Sequence, residues 1–216
     1  NNNRKTRPAI TSASDPEFPI RGTAGDLGTL HFQQIRAGKS SSLWNELIER
    51  YHYLGYKPLP GAQMRYLIFS NGRVLAALGF GASAWKTEPR DSFIGWTAEQ
   101  RKANLHLVVN NARFLILPWV TCKNLASRIL GHIVKQLPSD WEKRYSYRPV
   151  LLETFVEKDR FKGTCYRAAN WIHVGVTKGR GKLDRYSRRE LPVKDILLYP
   201  LAKEFRRQLC STSPTQ

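Results

Sequence analysis

Apolar residues recur at helical spacing at Leu43, Trp44, Leu47, Ile48, Tyr51 and Leu54, the one-sided pattern of an amphipathic helix. Ser40 to Ser42 offer N-cap side chains, and Gly55 supplies a stop. Two apolar runs follow, Met64 to Phe69 and Arg73 to Phe80, joined by Ser70-Asn71-Gly72. Asn-Gly accepts the positive φ that a two-residue turn needs, so this stretch predicts an antiparallel hairpin. Ala82 to Ala98 keeps neither period; with Trp85, Arg90-Asp91 and Ile94-Gly95-Trp96 it is too long and too aromatic for a simple linker. Leu105 to Val109 and Arg113 to Val120 predict one strand, or two broken at Asn110-Asn111, with Pro118 marking a strand end or bulge. Lys123 to Leu137 returns to helical spacing and is expected to stop at Pro138, whose nitrogen cannot donate a backbone hydrogen bond. A strand over Val150 to Val156, a short helix from Gly163 to Asn170 and a strand over Trp171 to Thr177 complete the pattern.

Helix, hairpin, strand, helix, strand, helix, strand is the order of an α/β (α+β) domain, with a mixed central sheet flanked by helices. Residues 1–28 read as a polar leader, mobile or draped on the surface, because Asp15-Pro16, Phe18-Pro19 and Gly22 break any period. Residues 29–184 form the core. Residues 185–216 read as a basic C-terminal extension packed on that core, with a small apolar cluster at Ile196 to Tyr199 and a short helical pattern ending at Cys210.

Charge adds a partner class to this picture. The 216 residues hold 35 Lys and Arg against 17 Asp and Glu, a formal charge of +18 and a pI near 10.2. A long-range positive field of that size points to nucleic acid. Cys122, Cys165 and Cys210 are widely spaced and form no CxxC pair, which excludes a sequence-legible zinc site or disulfide framework and fits a reducing cytoplasm. The chain opens without an apolar signal run and nowhere holds eighteen consecutive apolar residues, so a soluble cytoplasmic protein without a membrane partner is expected.

The segment Leu151 to Lys182 concentrates the candidate chemistry. Glu153 lies inside an apolar strand, where an ionised carboxylate is costly unless paired or hydrogen-bonded. With Asp91 or Asp159 it is a candidate for a divalent-metal site acting on phosphodiesters; ion-pairing to an internal arginine is the structural alternative. Tyr166 is a candidate proton donor or nucleophile, against ordinary helix packing. His52, flanked by Tyr51 and Tyr53, is a candidate base or a packed core residue. His31, His106, His132 and His173 show no metal-ligand spacing. Arg160, Lys162, Arg167, Lys178, Arg180, Lys182, Arg185, Arg188 and Arg189 form the candidate nucleic-acid-binding set, with Trp171 or Tyr186 available to stack on a base. Lys178-Gly179-Arg180-Gly181-Lys182 sets three cations among two glycines, leaving backbone amides accessible to phosphates.

A helix directly after the strand Arg113 to Val120, and the closing Tyr-Arg-Ala-Ala-Asn-Trp-Ile-His-Val-Gly, resemble the Gcn5-related acetyltransferase (GNAT) fold. In that fold a central strand runs into the helix that cradles the acyl-CoA pyrophosphate, and a tyrosine near the last helix often serves as general acid. The resemblance sets Cys122-Lys123-Asn124-Leu125-Ala126-Ser127 in the place of the pyrophosphate loop and Tyr166 in the place of the tyrosine. Asn124 stands where the first loop glycine would be, so acetyl-CoA is disfavoured as a cofactor.

A second resemblance covers Trp44 to about Lys182. YHYLGYKPLPGAQMRYLI, RDSFIGW, NNARFLILPWV, NLASRIL, LLETFV and GTCYRAANWIHVGVTKGRG together are similar to the DruA family, named for a component of the Druantia anti-phage defence system. Relatives also occur with transposase domains or within mobile elements. What the resemblance implies is a DNA-binding protein of a defence or mobile-element system, partnered by DNA and by other defence-system or transposase proteins. Strand processing through Glu153 and Tyr166, with Asp91 or His52 in support, would call for Mg or Mn. The alternative is an acyl-CoA-dependent N-acyltransferase.

Overall fold

The computed structural model describes residues 7–179 and 191–212. In chain order its strands and helices are β1 (Ile20–Thr23), β2 (His31–Ile35), α1 (Lys39–Tyr51), β3 (Met64–Ser70), β4 (Arg73–Ala82), α2 (Glu88–Ile94), α3 (Ala98–Asn104), β5 (Val108–Ile116), β6 (Val120–Lys123), α4 (Leu125–Tyr145), β7 (Leu151–Glu157), α5 (Thr164–Ala168), β8 (Ile172–Val176), β9 (Lys194–Pro200) and α6 (Phe205–Leu209). The main sheet has the order β2-β3-β4-β5-β7-β9-β8, and β1 pairs with β6 separately. Antiparallel ladders join β2-β3, β3-β4, β7-β9 and β8-β9, while β5 and β7 run parallel. The expected mixed sheet flanked by helices is therefore the observed architecture.

The chain divides into two compact units, residues 1–81 with 111–126, and residues 82–110 with 127–216. In the first, the hairpin turns as the sequence dictates: Ser70 pairs with Arg73, and Asn71 and Gly72 between them hold φ of +48° and +76°. Positive φ at both central residues defines a type I′ turn, whose twist matches that of the strands it joins. Trp44 of α1 is fully buried, its indole N–H donating to the Leu78 carbonyl at 2.9 Å. A Cβ on Gly79 would stand 2.9 Å from the Trp44 ring, so only glycine lets the helix sit this close to β4.

Helix α1 ends at Tyr51, short of Gly55. His52 turns extended, and Gly55, at φ +60°, closes a separate turn by donating to the His52 carbonyl at 2.8 Å. Its N-terminus is Gly38, while Ser41 within the helix accepts from Arg65 at 3.0 Å. The leader is tied down from residue 7 onward. The Thr11 amide and hydroxyl both donate to Glu46 at 2.9 Å, the Tyr51 hydroxyl donates to the Ser14 carbonyl at 2.7 Å, and β1 runs parallel beside β6. Side-chain anchors on α1, invisible to local periodicity, override the proline and glycine breaks.

In the second unit, Ala82 to Ala98 contains α2 and the first residue of α3; proline in the first turn of α2 and a Thr97–Gln100 capping box start these short helices. Asn110-Asn111 does not interrupt β5, which is one strand. Helix α4 passes through Pro138 to Tyr145. Trp141, one turn beyond Leu137 on the same face, is 1% exposed, and this burial offsets the hydrogen bond that Pro138 cannot make. The apolar cluster Ile196, Leu197 and Leu198 is the centre of β9, fully buried between β7 and β8. Its continuous apolar run is the signature of a strand covered on both faces.

Candidate functional site

Glu153 of β7 is fully buried, and both its oxygens are engaged. Oε2 accepts from Arg90 Nη1 at 2.8 Å and Oε1 from the Ala84 amide at 2.8 Å, while the same Arg90 nitrogen donates to the Ala84 carbonyl at 2.8 Å. Arg90, itself fully buried, gives Nε and Nη2 to Asp91 Oδ1 at 3.0 and 2.8 Å. Asp91 also accepts from the Trp96 indole at 3.1 Å and from Arg101 at 3.2 Å. Two carboxylates thus alternate with two guanidiniums and the charges cancel. Burial pushes the Glu153 carboxyl above the ordinary range, against the opposing pull of Arg90 and the Ala84 amide. Glu153 and Asp91 meet through Arg90, as an ion-pair clamp that ties β7 to the segment carrying α2. Asp159 is exposed in the turn after β7. Among the described residues no group of three His, Cys, Asp or Glu is placed to hold a metal.

Tyr166 does not join Glu153. The Thr154 hydroxyl donates to Tyr166 Oη at 3.4 Å, and neighbouring residues of a strand point to opposite faces, so Tyr166 belongs to the face of β7 opposite Glu153. Helix α5 is preceded by Gly163 as its N-cap and followed, past Ala169, by Asn170, with φ of +64° and +63°; this short helix buries Tyr166 edge-on to Trp171 at 5.0 Å. On that face lies a cluster that sequence spacing did not disclose. Asp195, 6% exposed, forms an ion pair with Arg167 Nη2 at 3.6 Å and meets His173 Nε2 at 3.0 Å. Asp195 and His173 stand 22 positions apart, and only the β8-β9 ladder brings them together.

The loop before α4 holds another asparagine in a glycine conformation. Asn124 has φ +62° and stands immediately before the helix. Asparagine tolerates the left-handed region better than other residues with a Cβ, so the glycine-type backbone is kept with a polar side chain added. Beside it, the Cys122 thiol is pushed up by burial and by the Asp26 carboxylate.

His52 lies in the first unit. Its Nδ1 accepts from the Leu54 amide at 3.3 Å and its ring stacks on Tyr53 at 4.9 Å. Burial, helped by the charge of Arg113, lowers its pKa to about 4, so the imidazole is neutral at neutral pH.

Of the basic set, Arg160 pairs with Glu157 at 3.6 Å, Arg167 with Asp195, and Lys178 with Glu88. Lys162 is exposed, and its carbonyl accepts from Arg167. Arg180, Lys182, Arg185, Arg188 and Arg189, with Tyr186, lie outside the described residues. That basic connection leaves and returns through one hairpin, β8-β9, closed by the Leu191 amide donating to the Gly179 carbonyl at 2.8 Å. No described helix is long and apolar enough to cross a membrane.

This strand order, with α4 entered through a left-handed residue and Tyr166 on the short helix after β7, is the fold of the Gcn5-related acetyltransferases. Spermidine N-acetyltransferase of Vibrio cholerae matches with a TM-score of 0.50 at 11% identity, over 82% of this chain and 97% of that one. A Bacillus subtilis acetyltransferase in complex with CoA gives 0.49 at 7% identity, over 81% and 100%. The ribosomal-protein-S18-alanine N-acetyltransferase of Escherichia coli gives 0.46 at 10% identity, over 80% and 95%. The chain belongs to the DruA family: the family model described as Druantia protein DruA matches residues 1–190. No curated protein matches it.

Proposed function

We propose that this chain serves anti-phage defence as an N-acyltransferase, drawing its acyl group from acyl-CoA. The observation that carries this reading is the backbone of the loop before α4. Asn124, at φ +62°, takes the conformation for which an acyl-CoA loop uses glycine, and a 21-residue helix follows, whose first amides are the natural partners of a pyrophosphate. The donor set fits in its backbone, and the Asn124 side chain is the one departure. Bound acyl-CoA would supply the activated acyl group. Within its own unit Tyr166, of the residue type that this fold often uses as a proton donor, is a buried phenol that accepts a hydrogen bond from Thr154. Calorimetry with acetyl-CoA tests the reading: wild type should bind, Asn124→Gly should bind more tightly, and Asn124→Leu should not bind. Absence of heat with wild type and with Asn124→Gly sinks it.

Charge favours a second reading, in which the protein binds DNA within the same defence system. The formal charge is +18, and the β8-β9 connection alone carries Arg180, Lys182, Arg185, Arg188 and Arg189. Each phosphate neutralised would steepen the fall of affinity with salt. Duplex and single-strand binding should then weaken sharply between low and physiological salt, and Lys178, Arg180 and Lys182 changed together to Glu should reduce it at every sequence. Unchanged affinity in that triple variant would remove this reading and leave the first one standing.

A further inference from the structure

Arg113 is placed in a way that no structural duty explains. It projects from β5 and is 8% exposed, yet among the described residues no carboxylate lies within ion-pairing distance of it. Its Nη1 donates to the carbonyl of its own neighbour Ala112 at 2.7 Å, and its Nε is buried without a partner. A guanidinium carries five donors in a flat fork and cannot shed its charge, so burying its Nε without an acceptor is costly. Its stem is held by packing: a Cβ on Gly79 would lie 3.3 Å from the Arg113 Cβ, so glycine there gives β5 the space to present it.

His52 and Tyr53 belong to the same neighbourhood. The Arg113 charge helps to depress the His52 imidazole, and the Tyr53 phenol acts electrostatically on Arg113. Because His52 Nδ1 accepts from the Leu54 amide, the ring proton sits on Nε2, and the ring is a neutral reporter of the Arg113 charge. Stacking on Tyr53 keeps that ring in place.

We propose that Arg113 is a binding site for the oxyanion group of a small molecule, a phosphate or a carboxylate. The guanidinium fork matches either group bidentately. The site is independent of the acyl-CoA loop and of the basic connection, so it stands whichever reading of the function holds.

The test follows the His52 ring by NMR, assigned with a His52→Gln variant, as inorganic phosphate or acetate is added at constant ionic strength. In wild type the imidazole midpoint, about 4 before the anion is added, should rise saturably with it, and the melting temperature should rise as well. Arg113→Met should abolish both responses while melting no lower than wild type. If that variant fails to fold, Arg113→Lys carries the comparison, keeping the charge but losing the fork, with affinity down at least about tenfold. A response to phosphate alone identifies a phosphoryl ligand, and a response to acetate alone a carboxylate. A midpoint that neither anion moves, or that moves equally in the arginine variants, overturns the proposal.

Discussion

Arg90 and Arg113 are both buried arginines, and their surroundings differ in kind. Arg90 meets two carboxylates, a carbonyl and the face of Trp96, with its Cζ 5.5 Å from the ring centroid. Arg113 has one carbonyl, a neutral histidine and a tyrosine. The first is a finished structural device, because every charge entering the interior brings its opposite. The second leaves a cation whose electrostatic complement is missing, which is the condition of a binding site. A buried arginine is therefore informative only once its partners are counted.

Removing one half of the finished clamp should have the largest effect. Glu153→Leu leaves the buried network of Arg90, Asp91 and Arg101 with one uncompensated positive charge and should cost about 3–5 kcal/mol in urea unfolding, whereas Glu153→Leu with Arg90→Met should recover most of that loss. Equal losses in the single and double variants would show that the clamp is not a coupled pair. Next comes pH. His52 titrates near 6.5 when unfolded and near 4 when folded, so its contribution is complete above the unfolded value and is lost as pH falls from about 6.5 to about 4. The loss should reach at most about 3 kcal/mol, and His52→Gln should flatten that part of the stability profile. Arg113→Met should be neutral or stabilising by about 1 kcal/mol, opposite in sign to Glu153→Leu; a loss as large as that of Glu153→Leu would make the two arginines alike. Smallest is Trp85→Ala, which removes the ring 5.6 Å from Arg101 at the solvent end of the clamp and should cost about 0.5–1 kcal/mol.

Legibility differed along the chain for physical reasons. The hairpin was readable because its turn chemistry is local: Asn71-Gly72 fixes the loop, and the loop fixes the register. The α1 stripe was readable, but its end was not, since the turn at His52 to Gly55 closes on its own backbone before the glycine is reached. Pro138 misled because the interaction that carries the helix past it is the burial of Trp141. The acidic residue in β7 was visible as an anomaly, and one of its weighed explanations, pairing to an internal arginine, is the observed one. Its supposed neighbour Tyr166 sits across the strand, a consequence of the two-residue alternation that Thr154 makes plain. Arg113 carries no signal along the sequence, because an arginine in a strand is ordinary until its surroundings are known.

By itself the sequence determined the elements that rest on local chemistry: the hairpin, the amphipathic helices, the apolar strands and the large positive charge. It also carried the family resemblance through blocks spread along the chain. Contacts between distant residues decide where β9 inserts, that Glu153 is a clamp, that Asp195 meets His173, and that Arg113 meets no carboxylate among the described residues. Those facts depend on which distant residues share a face of the sheet, and hence on whether a buried charge finds its opposite, which no periodicity along the chain encodes.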